Sequence, residues 1–309
     1  MKLLRPNEQQ LEKIMSEMSQ NTLEQLKTDA RVLKLWLNQQ PHLPHYMDED
    51  TLTSFLCGCK GSVERAKAKL DAYLTARSEV PELYGDRDPC GPEIRNGSKV
   101  IKFFPLPSLT KEGYRVDVAM LTPNHNLADF SFASFCKRVL ATSDMRLQYE
   151  SVWGGEVVIF DVKGLTLSHL TKVMPSMIKK FVYCGQDAIP SRPKGLYFIN
   201  VPHFQELLVN MFKPLLKEKI AKRLHVFSGD HTELYKHIDR EILPQEYGGQ
   251  ADTIDNLNRN WQKLLEDNRD WFLNEGSQKT EEKKRPAKSY YKPTQLFGVD
   301  GTFKKLSID

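Results

Sequence analysis

Four cationic side chains are the residues of this chain whose type and spacing most directly suggest a binding chemistry. Arg192 and Lys194 stand just before an apolar run that predicts a strand, and Lys219 and Arg223 are four residues apart on one face of a predicted helix. Four cations that converge near one rim can bind a polyphosphorylated headgroup or an anionic membrane surface. Clusters of lysine and arginine are also common on solvated surfaces, so charge alone leaves both interpretations open.

The catalytic motifs expected of an α/β enzyme are missing from the sequence. The strand predicted at residues 157–160 runs into Asp161-Val162-Lys163-Gly164, which matches neither GxGxxG nor GxxxxGK[ST], the turns that bring backbone amides to a phosphate. No GxSxG motif is present. Ser168 and His169 are neighbours on a predicted helix, so they point about 100° apart and cannot pair as nucleophile and base. Asp161 is more typical of a residue that caps the following turn. We therefore do not predict an enzyme.

Candidate metal ligands lack the spacing that zinc sites use. The pairs Cys57/Cys59, His42/His45 and His231/His237 each lack a matching second pair. The five cysteines are odd in number and irregularly spaced, which does not indicate a disulfide framework. We expect reduced thiols, no metal and no organic cofactor.

The composition is that of an ordinary globular protein of 309 residues, with 40% apolar and 27% charged residues. A net charge of +4 does not indicate a nucleic-acid partner. No secretory signal is recognised at the start, and no run of about 18 apolar residues could span a membrane. We therefore expect a cytoplasmic protein.

The elements that must position the four cations follow an α/β pattern. Apolar runs at residues 157–160, 195–200 and 224–227 alternate with helical stretches, one ending near Cys184 and one spanning about 203–222. Such alternation indicates βαβ units and a parallel sheet covered by helices. The last of these helices has a broad apolar face, and Pro214 predicts a kink in it. Further predicted elements are strands at 100–106 and 114–121 and a helix at 130–151.

An all-helical segment precedes this α/β domain. Apolar residues recur at helical spacing in two helices within residues 7–40, broken near Asn21 and Thr22, and again over 51–58 and 62–77. Turn-forming residues at 85–99 predict a linker, and residues 251–274 predict one later amphipathic helix. We expect three parts: a helical N-terminal domain at 1–90, an α/β domain at 91–250, and a C-terminal helix with a basic tail at 251–309.

The tail itself admits two interpretations. Its charged segment, from Lys279 to Lys292, is typical of a solvated and partly disordered chain. The apolar residues that follow, among them Leu296, Phe297 and Phe303, suggest instead that the end docks on the body.

A series of motifs carries a family resemblance. They are IFDVKGLTLSH at 159–169, QDAIP at 186–190, INVP at 199–202, FKPLLKEK at 212–219 and LPQEYGG at 243–249. In this order they resemble the CRAL-TRIO family of lipid-binding proteins, especially the subgroup that contains α-tocopherol transfer protein and retinaldehyde-binding protein. FLCGCK at 55–60 resembles the N-terminal helical domain of that family, and LFGVDGTFKKL at 296–306 resembles the closing segment of its insect members.

The resemblance implies an α/β fold in which a mostly parallel sheet is the floor of a buried apolar pocket. The helix from about Val201 would be a mobile gate. The implied function is the binding of a small hydrophobic ligand (a retinoid, a tocopherol or another isoprenoid) and its transfer between membranes by a monomer that associates with them peripherally and transiently. The expected lining residues are Phe135, Val139, Thr142, Val158, Phe160, Leu165, Leu167, Phe181, Leu196, Phe204, Leu208 and Met211.

The resemblance also assigns a role to the four cations. Relatives of the tocopherol-transfer type bind phosphatidylinositol phosphates through a basic cleft, and Arg192, Lys194, Lys219 and Arg223 fall on its positions with the charge kept at all four. Binding of phosphatidylinositol bisphosphate is therefore expected. The implied partners are the hydrophobic ligand and a phosphoinositide-containing membrane surface, without nucleic acid.

Three positions depart from the relatives. Glu156 stands where they have an apolar residue, Arg138 where tocopherol binders carry a small hydroxyl residue, and Gly185 where they have a bulky aliphatic one. If Glu156 and Arg138 both face inward, they could pair with each other or meet a polar ligand end. Two alternatives to the transfer of an isoprenoid stay open: a transfer protein for phosphoinositides or phospholipids, and a membrane or protein adaptor that transfers nothing.

Overall fold

The computed structural model describes residues 1–18, 22–227 and 229–287. Its strands are β1 (Ile101–Leu109), β2 (Tyr114–Leu121), β3 (Gly155–Asp161), β4 (Pro193–Ile199) and β5 (Leu224–Val226). Over the described ranges they form one sheet in the order β1-β2-β3-β4-β5. β1 is antiparallel to β2, and the remaining neighbours are parallel. The prediction of a mostly parallel sheet within an α/β fold is confirmed.

Helices lie on both faces and along the edge of this sheet. Their bounds are α1 (Glu8–Ser16), α2 (Leu23–Asn38), α3 (Glu49–Gly58), α4 (Val63–Glu79), α5 (Pro81–Tyr84), α6 (Pro92–Val100), α7 (Phe132–Tyr149), α8 (Leu167–Leu170), α9 (Pro175–Tyr183), α10 (Gln205–Phe212), α11 (Glu218–Ala221), α12 (Ile254–Asp267) and α13 (Arg269–Ser277). Within the described ranges, no helix is both long and apolar enough to cross a bilayer.

The two faces of the sheet bury different surfaces, because successive side chains of a strand point to opposite sides. One face carries Val116, Val118, Val157 and Ile159, which pack with the buried Trp261 of α12 in a continuous core. The register pairs Asp117 with Val158 and Ala119 with Phe160, so these residues share the other face. That second face looks toward α7, α9 and α10 and lines the cavity described below.

Each of the four longer N-terminal helices begins at a side-chain cap. Asn7, Thr22, Asp48 and Ser62 each accept a backbone N–H at the start of α1, α2, α3 and α4 respectively. The apolar faces of α2 to α4 are buried together in one core, which extends to α7 and α9. The predicted all-helical segment is present, and it packs directly against the α/β part.

The linker predicted at 85–99 is wrong from residue 92 onward, whereas residues 85–91 do form turns. Residues Pro92–Val100 form α6, whose first turn accommodates Pro92 because that position needs no backbone donor. The turn formers that suggested a linker include Gly97, where a Cβ would lie 2.8 Å from the Cβ of Ser134 on α7. Close packing of α6 on α7 therefore requires glycine there, and tertiary contact overrides the local preference for a turn.

Three predicted helices are divided in the structure. The stretch ending near Cys184 consists of α8, α9 and a π-helical turn, Cys184–Ala188. The stretch 203–222 consists of α10, a 3₁₀ turn at Lys213–Leu215 and α11, because Pro214 cannot continue an α-helix. The helix predicted at 251–274 breaks at Asn268, whose side-chain amide donates to the carbonyl of Leu264 at 2.8 Å.

The described part of the C-terminal tail packs on the N-terminal helices. The Glu281 N–H donates to the carbonyl of His42 at 2.9 Å, and the Arg285 guanidinium donates to Asp71 Oδ1 at 2.7 Å. Since Asp71 is buried, this segment is not the freely solvated chain that its charge suggested. The predicted docking of the apolar residues from Leu296 onward lies outside the described residues.

Candidate binding cavity and basic rim

An apolar cavity of about 320 Å³ lies between the second face of the sheet and helices α7, α9 and α10. Aromatic rings form much of its wall. Phe160 and Phe198 stack on neighbouring strands with ring centroids 4.5 Å apart, and Phe135 of α7 meets Phe181 of α9 at 6.3 Å. We call this space the apolar cavity; its volume is that of a small-molecule site.

Nine of the twelve predicted lining residues lie on its wall. They are Phe135, Val139, Val158, Phe160, Leu165, Phe181, Leu196, Leu208 and Met211.

The other three lie elsewhere. Thr142 is on the far side of α7, where its hydroxyl accepts a hydrogen bond from the Trp261 indole N–H at 2.9 Å. Leu167, at the start of α8, is 50% exposed to solvent. Phe204 precedes α10, which begins later than predicted, and its ring contacts His203.

A buried polar cluster forms one part of the cavity wall. Glu156 accepts hydrogen bonds from the Trp153 indole at 2.6 Å and from the Arg192 backbone N–H at 2.5 Å. Arg146 donates to Glu150 Oε2 at 2.5 Å and to Asp117 Oδ2 at 2.9 Å. Asp117 Oδ1 has no partner among the described residues, and burial, opposed by the charge of Arg146, raises the pKa of Asp117 to about 6.

Glu156 and Arg138 do not form the pair that their sequence positions left open. Glu156 faces the apolar cavity, whereas Arg138 points toward α12. The Arg138 guanidinium donates to Asn258 Oδ1 at 2.8 Å and to the carbonyl of Phe103 at 3.0 Å. Burial, with no carboxylate in direct contact within the described ranges, lowers the pKa of Arg138 to about 9. Arg138 is thus a packing residue between α7, the sheet and α12.

Gly185 lies in the π-helical turn and in the wall of the apolar cavity. A Cβ built at this position would meet no atom within 4 Å. The space next to Gly185 is therefore open, at the end of α9 where this residue lines the cavity.

Helix α10 covers one side of the apolar cavity. Leu208, Met211 and Phe212 line the cavity, while Leu207 is 50% exposed. The segment after Phe212 returns to the body through Gln186, whose side-chain amide donates to the carbonyl of Leu215 at 3.0 Å. The residues predicted as a gate are therefore placed between the cavity and solvent.

The four predicted cations lie together in one region, which we call the basic rim (Arg192, Lys194, Lys219 and Arg223), and Arg192 is its buried member. Arg192 forms a salt bridge with Glu17, and Lys194 donates to both Glu17 carboxylate oxygens at 2.7 and 2.8 Å. Arg223 follows α11 and donates to the carbonyl of Pro193. Lys219 is exposed on α11 and has no salt bridge among the described residues.

Lys60 is a fifth cation near the basic rim, and it was not among the predicted site residues. It follows α3 in a left-handed turn, with φ of 58°. Partial desolvation and then the charge of Arg192 lower its pKa, with smaller contributions from Lys194 and Lys219. The signal in the sequence was the Lys60-Gly61 pair directly after a helix, which marks a turn but does not show what the lysine faces.

Glu17 is a second residue that sequence reasoning missed. It caps the C-terminal end of α1 and contacts cations about 175 residues later in the chain. Burial acts to raise the pKa of Glu17, but Lys194 and Arg192 outweigh it and lower that pKa, so the group is a carboxylate at neutral pH. A protein carboxylate therefore occupies part of the surface predicted for phosphate.

The residues examined for catalysis have structural partners. Asp161 Oδ1 accepts the Lys163 N–H at 3.1 Å, which confirms the predicted turn cap, and its Oδ2 accepts the Tyr247 hydroxyl at 2.9 Å. His169 Nδ1 lies 2.7 Å from the Thr166 hydroxyl. Within the described ranges, no group of three or more His, Cys, Asp or Glu residues is arranged to hold a metal ion.

Comparison with known proteins adds two family matches. Residues 101–249 match the model of the CRAL/TRIO domain, and residues 22–94 match that of the Pinta-like UBA domain.

The chain is 28% identical over 250 residues to "Alpha-tocopherol transfer protein-like" of Homo sapiens, covering 80% of this chain and 71% of that protein. It is 24% identical over 249 residues to "Clavesin-2" of Rattus norvegicus, covering 79% and 75% respectively. The crystal structure of Sfh5 aligns with 82% of this chain and 93% of its own, at 17% identity and a TM-score of 0.49.

Proposed function

We propose, from the match of residues 101–249 to the CRAL/TRIO domain, that the chain binds a small hydrophobic ligand in the apolar cavity and transfers it between membranes. The observation that carries this proposal is the cavity itself, an aromatic and aliphatic space between the sheet and α10. Each 100 Å² of ligand surface that it removes from water contributes roughly 2.5 kcal/mol to binding. The name of the human relative, which refers to tocopherol transfer, agrees with a ligand of the isoprenoid class.

Helix α10 is the proposed entry route. It is short, it ends at the break before Pro214, and its exposed Leu207 offers apolar surface to a bilayer. Insertion of Leu207 would place α10 at the membrane, and lipid would then favour a displaced α10 because displacement exposes further apolar side chains, Leu208 and Met211, to the bilayer. Displacement of α10 would open the apolar cavity toward the membrane.

We further propose that the basic rim binds the headgroup of a phosphatidylinositol phosphate. Its support is the convergence of Arg192, Lys194 and Lys219, the last without a salt bridge in the described part of the chain, with Lys60 beside them. Phosphate oxygens would replace the Glu17 carboxylate on Arg192 and Lys194, since both are anions that accept charge-assisted hydrogen bonds. Binding at the rim would hold the chain at the membrane while α10 moves.

Gly185→Phe tests the ligand proposal. The phenyl group would enter free space in the cavity wall without backbone conflict, so it should exclude ligand and leave the fold intact. The purified chain is incubated with a lipid-rich extract, repurified and extracted with organic solvent for mass spectrometry. We expect a stoichiometric ligand without phosphorus in the unchanged chain, at least tenfold less in Gly185→Phe, and no loss in the control Leu167→Phe, an exposed position.

Two results of this experiment would contradict the proposal. A ligand that contains phosphorus would favour the transfer of a phospholipid or phosphoinositide. Absence of any ligand, together with no protection from proteolysis by the lipids offered, would favour an adaptor that transfers nothing.

Charge reversal tests the rim. Lys219→Glu/Arg223→Glu should weaken binding to vesicles that contain phosphatidylinositol bisphosphate by at least tenfold, because two attractive charges become repulsive. Arg259→Glu/Lys263→Glu is the matched control, with the same spacing and charge change on the exposed side of α12. Equal binding by the rim variant and the control in a vesicle sedimentation assay would refute the headgroup proposal.

A further inference from the structure

A second pocket, of about 460 Å³, lies beside the basic rim, between the N-terminal helices and the π-helical turn. The turn after α3 and the first half of α4 form one wall, and the residues from Tyr183 to Arg192 form much of the other. Glu17, Lys194, Lys219 and Arg223 are not part of its lining. We call it the cationic pocket because five of its lining residues are Lys60, Arg65, Lys69, Arg192 and Lys217.

The charges of this pocket are unbalanced. Its lining contains five cations and one carboxylate, Asp187, which forms a salt bridge with Lys217. Lys60 and Arg65 form no salt bridge among the described residues. Arg192 is paired with Glu17, which lies outside the lining, so three positive charges without a carboxylate partner among the described residues share this concave surface. They repel each other, and an anion placed among them would relieve that repulsion.

Two of the cations are held in place by the fold. The Lys69 ammonium donates to the carbonyls of Gln186 and Ile189 at 2.8 and 2.7 Å, which fixes α4 against the π-helical turn. Burial and the nearby charge of Lys217 lower the pKa of Lys69. A lysine anchored in this way gives a positive charge that is already positioned, so binding an anion does not require it to become ordered.

Arg192 connects the cationic pocket to the basic rim. It is 7% exposed, and one terminal nitrogen of its guanidinium is engaged by Glu17. The other lies 3.5 Å from the carbonyl of Cys57, at the limit of a hydrogen bond, and Nε is buried without a partner among the described residues. A buried guanidinium donor without an acceptor is unfavourable, so the protein neighbours of Arg192 do not fill its hydrogen-bonding capacity. Its guanidinium also adds a positive charge to the wall of the cationic pocket.

We propose that the cationic pocket is a second phosphate subsite, which takes a phosphate monoester beside the one bound at the basic rim. Arg65, Lys217 and Lys60 would contact it, and Arg192 would lie between the two subsites. The same chemistry is offered by a second phosphate on an inositol lipid headgroup and by a soluble organic phosphate. The lipid case rests on the proposed function of the rim, whereas the soluble case does not.

The test removes charge from the pocket and leaves the rim intact. Arg65 is exposed and Lys217 is 57% exposed, so Arg65→Gln/Lys217→Gln should fold normally, which circular dichroism and the melting temperature verify. Its control is Arg259→Gln/Lys263→Gln on α12. Binding is measured to vesicles that contain phosphatidylinositol monophosphate, to vesicles that contain the bisphosphate, and to soluble inositol trisphosphate.

We expect the pocket variant to bind bisphosphate vesicles about tenfold more weakly, the loss of roughly one charge-assisted hydrogen bond, and monophosphate vesicles within about twofold of the unchanged chain. If the pocket variant loses a similar factor of affinity for soluble inositol trisphosphate but not for either lipid, the subsite is supported and its ligand is a soluble phosphate. Equal losses for both lipids, or no loss for any ligand, would overturn the subsite. If the headgroup proposal for the basic rim is wrong, Lys219→Glu/Arg223→Glu should leave the binding of monophosphate vesicles unchanged. That result can be told apart from failure of the cationic pocket.

Discussion

At the scale of single residues, the wall of the apolar cavity combines hydrocarbon surface with a few buried charges. Asp117, Glu150 and Glu156 are grouped around Arg146, and Arg115 adds a second bridge to Glu150 at 2.6 Å. Three carboxylates and two guanidiniums leave one net negative charge there. A ligand with a carboxylate end would therefore meet repulsion, and an uncharged ligand would not.

We predict that Asp117→Asn removes part of the pH dependence of stability. Burial raises the pKa of Asp117 to about 6, above its value in the unfolded chain, so the folded state binds this proton more tightly. The stability that this tighter proton binding adds to the folded state is present in full in acid, and it is lost as the pH rises through about 6. Between pH 5 and pH 8, the free energy of unfolding of the unchanged chain should fall by roughly 1 kcal/mol more than that of the variant.

Urea unfolding of both proteins at the two pH values measures this difference. Equal pH dependence of the two free energies would show that Asp117 does not titrate in this interval.

At the scale of elements, helix α1 contributes a charged residue to the surface that β4 and α11 form. Gln10 donates from α1 to the carbonyl of Thr110 at 2.8 Å, and Lys13 donates to that of Lys111 at 3.0 Å, which fix the helix against the loop between β1 and β2. This attachment presents Glu17 to Arg192 and Lys194. The helix thus places an internal anion where a headgroup is proposed to bind.

We predict that Glu17→Gln strengthens binding to phosphoinositide vesicles. The amide still fits between Arg192 and Lys194 but carries no charge, so a phosphate no longer competes with a carboxylate. A gain of about threefold to tenfold in affinity is expected, the effect of roughly 1 kcal/mol. Glu12→Gln removes the same charge from an exposed position of α1 and should change affinity little.

Vesicle sedimentation across a lipid titration gives the two affinities. Weaker binding by Glu17→Gln would mean that Glu17 supports the rim rather than competing for it.

At the scale of the whole molecule, a buried ionic network joins the N-terminal helices, α7 and α13. Asp144 of α7 accepts hydrogen bonds from Arg77 at 2.7 Å and from Arg87 at 2.6 Å. Both arginines also contact Glu275 of α13, at 2.7 and 3.2 Å. Since all four side chains are nearly inaccessible, the segments that carry them are held together by charges that cannot return to water without unfolding.

Asp144→Ala should destabilise the chain by about 3–5 kcal/mol, because it leaves two buried guanidiniums with one carboxylate. Asp267→Ala is the control, since it breaks the exposed bridge to Lys263 and should cost less than about 1 kcal/mol. Chemical denaturation gives both values. A loss for Asp144→Ala no larger than that of the control would show that the network is not needed to hold the three segments together.

Much of the fold followed from local patterns. Period-two and continuous apolar runs located β2 and β3, and apolar residues at helical spacing located α3 and α4. These signals work because they concern neighbours in the chain. The linker predicted at 85–99 failed for the opposite reason: α6 is stabilised by packing on α7, and its own sequence favours turns.

The sequence by itself determined the strands, most helices, the apolar character of α10 and the four cations of the basic rim. Only the tertiary structure decided that Glu156 faces the apolar cavity and Arg138 does not, that Glu17 meets Arg192, and that Lys60 lies near the rim. Periodicity is a property of consecutive residues, so a sequence shows which face of an element is apolar. Which charges meet across 100 residues or more depends on how the elements pack, and that arrangement is set by the molecule as a whole.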